Sequence, residues 1–246
     1  MTPNSLLASL PLEPSRIPAL LKLLEQEQKR RATVNRLRSY SPYTKQRDFH
    51  DAGAVHHERL FMAGNQLGKT WAGGFETAMH LTGRYPDWWK GATFNKAPII
   101  WAAGVTSEST RDNPQRVLIG DPPKEENWGT GTIPKSCLID YDRAMGVPNL
   151  LDNYRVRWGG GGDVQADESI IYFKSYEKGR EKWQGPTIDA CWFDEEPPLD
   201  IYTEGLTRTN RGQRSQFVYI TFTPLMGMSE VVSLFLLADK EADSTK

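Results

Sequence analysis

Cysteine is scarce in this chain: there are two among 246 residues, Cys137 and Cys191, far apart and in no Cys-x-x-Cys or Cys/His cluster. A thiolate metal centre and a disulfide scaffold are thereby excluded, and reduced thiols are the expectation. Long apolar runs are missing too. No stretch reaches the roughly 20 residues that a bilayer-crossing helix needs. The first residues also lack the basic-then-apolar order of a secretion signal. An excess of charge is absent as well. Thirty Lys and Arg stand against 31 Asp and Glu, a formal net charge of −1, so bulk charge does not announce a polyanion binder. No internal repeat is visible.

What is present is globular. Hydrophobic residues make up 38% and charged residues 25%, enough apolar material for one large α/β core. With 21 Gly and 16 Pro, many turns and long loops are expected. The charge is unevenly placed: Lys22, Lys29, Arg30, Arg31, Arg36, Arg38, Lys45 and Arg47 oppose only Glu25 and Glu27. A solvated helix face is the plain reading of that stretch, and contact with a polyanion or an acidic partner is the alternative.

Along the chain, residues 1–14 read as loose. Residues 15–38 carry an apolar stripe, Ile17, Leu20, Leu21 and Leu24, at helical spacing, with Ser15 as a candidate cap. Residues 40–49 read as a polar–aromatic loop entering a short helix. Strands are expected at 59–62, 97–103, 169–173, 188–193 and 216–222. Helices are expected at 69–81, 107–118 and 199–209. Residues 120–162 read as loop, ending in the glycine run 159–162, and 240–246 as a fraying charged tail. Alternation of strands with helices predicts an α/β fold with a mostly parallel central sheet covered on both faces. The expected division is a helical extension over 1–39, one α/β domain over 40–238 and a tail over 239–246.

Two motifs carry chemistry. Ala63-Gly64-Asn65-Gln66-Leu67-Gly68-Lys69-Thr70 fits the Walker A phosphate loop, with Ala in place of the first Gly. Such a loop turns backbone N–H groups onto a polyphosphate and opens a helix whose dipole favours the anion. Gly64 and Gly68 permit the turn, with Asn65, Gln66 and Leu67 between them. Lys69 reaches the β- and γ-phosphates, and the Thr70 hydroxyl ligates Mg²⁺. The bland reading is a Gly-rich turn with a solvent-facing Lys, but an apolar segment precedes the motif and a helical one follows. The second motif is the apolar run 188–193 ending in Asp194-Glu195-Glu196. Adjacent carboxylates at a strand end are costly without a cation or solvent, and the arrangement matches Walker B. Asp194 would hold Mg²⁺, Glu195 would polarise the attacking water, and Glu196 is the alternative base. Together the motifs predict a P-loop NTPase using ATP and Mg²⁺.

The chain further resembles the ATPase domain of viral large terminase subunits, closest to those of short-tailed, headful-packaging bacteriophages. The resemblance is carried by Tyr43-Thr44-Lys45-Gln46-Arg47, the segment 61–70, His80-Leu81-Thr82-Gly83-Arg84-Tyr85-Pro86 and Trp192-Phe193-Asp194-Glu195-Glu196-Pro197-Pro198. Glu204-Gly205-Leu206-Thr207-Arg208-Thr209-Asn210 and the segment 221–228 add to it. It implies that Gln46 recognises adenine with Tyr43 beside the base, and that Thr223, in Thr221-Phe222-Thr223-Pro224, belongs to a coupling motif. It implies an arginine finger, for which Arg180 is the first choice, with Arg111, Arg208 and Arg214 as others. The family slot for that finger reads Trp183-Gln184-Gly185 here, and Asn65 stands where many members have Arg. It also implies translocation of double-stranded DNA by a homo-oligomeric ring, monomeric in isolation, with the portal protein and the small terminase subunit as partners. The expected location is the host cytoplasm, transiently at the procapsid portal vertex, and not the mature virion. The family's C-terminal nuclease fold finds no room in 246 residues, so the chain reads as an ATPase-domain fragment without DNA cutting. The competing readings are a P-loop helicase and a nucleotide-binding interaction module.

Overall fold

The computed structural model describes residues 17–159, 167–209, 216–224 and 229–244. The chain enters through α1 (Ile17–Val34) and breaks at Asn35, whose side-chain oxygen accepts from the Arg38 amide at 3.3 Å and caps the short α2 (Arg36–Ser39). The single helix expected over 15–38 is therefore two, because the Asn side chain competes with helix propagation. Ser15 lies outside the described residues. Next come α3 (Thr44–Ala52), β1 (Glu58–Met62) and α4 (Lys69–Thr82), which Gly83 ends at φ 64°. A left-handed turn there suits glycine.

After β2 (Ile99–Gly104) the chain runs through α5 (Ser107–Thr110), a π-helical turn (Arg111–Gln115) and α6 (Arg116–Ile119). Pro114 sits in the π turn. It lacks an amide hydrogen and its ring crowds the preceding turn, so the helix expected over 107–118 widens there. Then follow β3 (Leu138–Arg143), β4 (Leu151–Arg157), β5 (Glu168–Ser175), β6 (Ala190–Asp194), α7 (Leu199–Arg208), β7 (Phe217–Phe222) and α8 (Glu230–Ser244).

Two expectations are corrected. The stretch 120–162 contains the β3–β4 pair, and the tail expected to fray from residue 240 continues as α8 to Ser244. Residues 160–162 of the glycine run lie outside the described residues.

The seven strands form one sheet in the order β1-β7-β6-β2-β5-β4-β3. The pairs from β1 to β5 are parallel, and β5–β4 and β4–β3 are antiparallel. Alternate side chains feed two cores. Trp192, Phe217 and Tyr219 face one side with Ala72, Ala78 and Met79 of α4. Cys191, Phe193, Val218 and Ile220 face the other with Ile201 and Tyr202 of α7 and Val231 and Val232 of α8. The sheet is thus covered on both faces, as strand pairs buried on both sides require.

Candidate active site

Because β1, β7 and β6 are parallel neighbours, their C-terminal ends share one edge of the sheet. Met62 is level with Phe222, and Thr221 with Asp194. The loop 63–68, Thr223 and the acids 194–196 are therefore brought together there although far apart in sequence.

The phosphate loop leaves β1 and becomes the N-terminus of α4 at Gly68, φ 73°. Gln66 also takes a left-handed conformation, φ 61°, a bend the sequence reading assigned to glycine alone. Lys69 is buried and folds back to donate from Nζ to the Gly64 carbonyl at 2.8 Å. The Thr70 hydroxyl donates to Asp194 Oδ1 at 3.0 Å. The same carboxylate oxygen accepts from Thr221 Oγ1 at 3.0 Å, and Thr221 Oγ1 in turn accepts from Trp192 Nε1 at 2.8 Å.

Asp194 is 3% exposed. Burial pushes its carboxyl up to about 7, against the Thr70 and Thr221 hydrogen bonds that favour the ionised form. Glu195 begins the chain beyond the strand at φ 68°. A non-glycine residue there carries roughly 1–2 kcal/mol of backbone strain. Its amide donates to the Thr221 carbonyl at 2.8 Å, and its carbonyl accepts from the buried Tyr176 hydroxyl at 2.8 Å. Its carboxylate Oε2 accepts from the Thr223 amide at 3.2 Å, while the Thr223 hydroxyl donates to Asn65 Oδ1 at 3.0 Å. Glu196 instead accepts from the Ser229 hydroxyl, and partial burial raises its carboxyl.

Thr70 and Asp194 offer a hydroxyl and a carboxylate and no softer atom, the donor type that Mg²⁺ takes, with its other positions left to water and substrate. Among the described residues no group of three His, Cys, Asp or Glu could hold a metal on its own.

Gln46 and Tyr43 lie against this loop. Gln46, 5% exposed, donates from Nε2 to the Gly68 carbonyl at 3.0 Å and accepts from the Tyr43 amide at 3.3 Å. Tyr43 donates its hydroxyl to the Leu67 carbonyl. Both amide ends of Gln46 are thus engaged within the chain.

Arg180 is elsewhere. Among the described residues its polar partner is Glu204, at 3.1 Å, which Arg208 also binds at 2.5 Å; no hydrogen bond or ion pair joins Arg180 to the loop. Arg111 pairs with Asp112, and Arg214 lies outside the described residues. Thr221, which fixes Asp194, entered the sequence reading only within the coupling motif Thr221-Phe222-Thr223-Pro224, and Tyr176, which fixes Glu195, was not singled out. Tyr176 carries no sequence signal.

A family model described as "Terminase large subunit, T4likevirus-type, N-terminal" matches residues 60–245. The terminase large subunit of Salmonella phage P22 is 47% identical over 229 residues, covering 88% of this chain and 45% of the relative. That of Enterobacteria phage LP7 is 30% identical over 240 residues, covering 88% of this chain and 47% of the relative. The chain thus spans about half the length of these curated relatives. Among solved structures, the Thermus phage P74-26 large terminase ATPase domain superposes with TM-score 0.53 at 16% identity, over 82% of this chain and 72% of that one, a likeness of fold. With the family model covering most of its length and two relatives matching at 30% identity or more, the chain belongs to the terminase large subunit family.

Proposed function

We propose that the chain is the ATP-hydrolysing motor part of a DNA-packaging machine, coupling Mg²⁺-dependent hydrolysis to movement of double-stranded DNA into a procapsid. One observation carries the reading: Thr70 and Asp194, 124 positions apart, meet at 3.0 Å on the edge where β1, β7 and β6 end. The loop amides and Lys69 hold the polyphosphate. Mg²⁺, when bound through Thr70 and Asp194, neutralises charge on the phosphate oxygens. Glu195 orients a water for in-line attack and takes its proton. The water oxygen bonds to the γ-phosphorus as the bond to the leaving ADP oxygen breaks. Thr223 touches both the Glu195 carboxylate and Asn65 of the loop, which fits the coupling role. Arg180, its side chain 56% exposed beyond its ion pair, is the candidate charge for a neighbouring copy's site. The proposal extends to DNA, the portal protein, the small subunit and a ring of copies as partners, and to transient residence at the portal vertex. Among the described residues no helix is long and apolar enough to cross a membrane.

Glu195→Gln should keep ATP affinity while turnover falls by roughly 100-fold or more, the scale of general-base catalysis. This is read by titration calorimetry and phosphate release. Undiminished turnover would remove Glu195 from its role. Stimulation of wild-type turnover by duplex over single-stranded DNA separates the packaging motor from a helicase, and the reverse order would favour the helicase.

A further inference from the structure

Glu195 is held from two sides. From β7, the Thr221 carbonyl accepts its amide and the Thr223 amide donates to its carboxylate. The opposite hold comes from Tyr176, the first residue after β5. β5 does not pair with β6, because β2 lies between them. At the end of β2, Gly104 is level with Ser175, and Ala103 just before it with Phe193. The Tyr176 side chain therefore reaches over the end of β2 to the acids. Its hydroxyl donates to the Glu195 carbonyl at 2.8 Å, with the Asp194 carbonyl as a second acceptor at 3.2 Å. The ring is buried, and the Trp183 and Phe193 rings flank it with centroids 6.1 and 6.0 Å away. The next residue clamps this post to the main chain. Glu177 Oε1 accepts from the Ser107 amide and from the Ser107 hydroxyl, each at 2.6 Å, and the Glu177 amide donates to the Val105 carbonyl at 3.1 Å.

We propose that Tyr176 is a positioning residue for the general base: by pinning the Glu195 carbonyl it keeps the turn left-handed and the carboxylate aimed along the phosphate-loop edge. The inference rests on the reading of Glu195 as that base. There is strain for Tyr176 to hold. Glu195 sits at φ 68°, a conformation that a non-glycine residue keeps only where its surroundings over-determine it. Relaxing to an ordinary φ would turn the carboxylate off the Thr223 amide. Tyr176 itself does no chemistry, because its hydroxyl is spent on backbone carbonyls behind the acids. Proton abstraction works over one hydrogen-bond length, and a misplacement of 1 Å can cost about 100-fold in rate. A phenylalanine at this position would keep the ring and its packing but release the turn.

The test is a double-variant cycle. Phosphate release and calorimetric ATP affinity are measured for wild type, Tyr176→Phe, Glu195→Gln and the two changes combined. Tyr176→Phe is expected to lower turnover roughly tenfold or more, short of a full 1 Å misplacement, with ATP affinity unaltered. In the Glu195→Gln background the same change should cost nothing further, since a group acting through the base has nothing left to act on. A general defect of the fold would lower turnover by the same factor in both backgrounds, and that outcome would overturn the proposal. Undiminished turnover in Tyr176→Phe would overturn it as well. Circular dichroism checks that each variant is folded. Should Tyr176→Phe fail to fold, Glu177→Ala loosens the clamp without touching the ring. Its smaller turnover loss must likewise vanish in Glu195→Gln, and a loss that persists there overturns the proposal. If Glu195→Gln alone turns over like wild type, the reading of the base fails and this inference falls with it. If Glu195→Gln is impaired and the Tyr176 effect is additive, the base stands and Tyr176 alone is removed.

Discussion

Asp194 is the most heavily penalised charge on the phosphate-loop edge. Burial alone would leave it protonated near neutrality; the Thr70 and Thr221 hydroxyls and the Lys69 charge work in the other direction, while the Glu195 charge works with burial. Thr221 matters twice, because its hydroxyl also satisfies the indole N–H of fully buried Trp192. Thr221→Val keeps the shape but strands that N–H. An unsatisfied buried donor costs about 1–3 kcal/mol. Thr221→Val is therefore expected to lower unfolding free energy by about that much in a urea titration, with Thr221→Ser close to wild type. Equal stability in Thr221→Val would mean that the indole finds another partner. At this scale the sequence is legible where the candidate residues are neighbours in the chain. Lys69, Thr70, Asp194 and Glu195 sit in motifs whose order along the chain is their evidence. Thr221 and Tyr176 act across strands, through a register that only the folded sheet creates. The engaged amide of Gln46 was invisible too, because its partner, the Gly68 carbonyl, is distant in the chain and is reached only when α3 packs on the loop.

The fit of α4 on the sheet rests on two adjacent glycines. A Cβ on Gly73 would come within 2.7 Å of the Trp192 ring, and one on Gly74 within 2.3 Å of Val117 Cγ1. Both neighbours are buried, on β6 and α6, so neither can swing into solvent. Replacing a mid-helix glycine by alanine gains about 1 kcal/mol of helix propensity. Overpacking a rigid core costs about 1–3 kcal/mol. At 2.7 Å from a fully buried indole the second effect wins. Gly73→Ala is expected to lower the unfolding midpoint despite the better helix former. A rise would show that α4 can shift away from β6. The parallel strands and the helices between them were legible because each is an apolar run bounded by turn residues. β3 and β4 were not. β3 is an edge strand whose residues are half-buried or exposed, and its partner β4 alternates Leu151, Tyr154 and Val156 with charged or amide neighbours. Their ladder is further supported by an Arg155–Asp140 pair between the strands. Glycines and prolines around them made the region read as loop.

Three elements of the molecule are tied by one buried carboxylate. Glu76 of α4, 1% exposed, binds Arg59 of β1 at 2.5 Å and His50 of α3 at 2.7 Å, with His80 at 3.6 Å. Arg59 in turn lies over the rings of Phe49, Phe217 and Tyr219 at 4.9, 5.1 and 5.3 Å. Burial would raise the Glu76 carboxyl, but the Arg59 charge and the His50 hydrogen bond hold it well below the usual carboxylate range. Burial also depresses His80 below its ordinary 6.5. Both shifts act in the same sense. In acid the unfolded chain takes up protons that the folded chain refuses, so stability falls as pH drops. The His80 share begins to be lost below about 6.5 and the Glu76 share below about 4.3. Glu76→Gln leaves the Arg59 guanidinium buried without its counter-charge, a loss on the order of 3–5 kcal/mol at neutral pH. It also removes the carboxylate share of the acid limb. Urea titrations of wild type and Glu76→Gln between neutral pH and the acid limit should therefore converge as pH falls. Curves that stay parallel to the lowest pH would mean that Glu76 is not ionised in the folded chain, and that the Arg59 charge is balanced elsewhere.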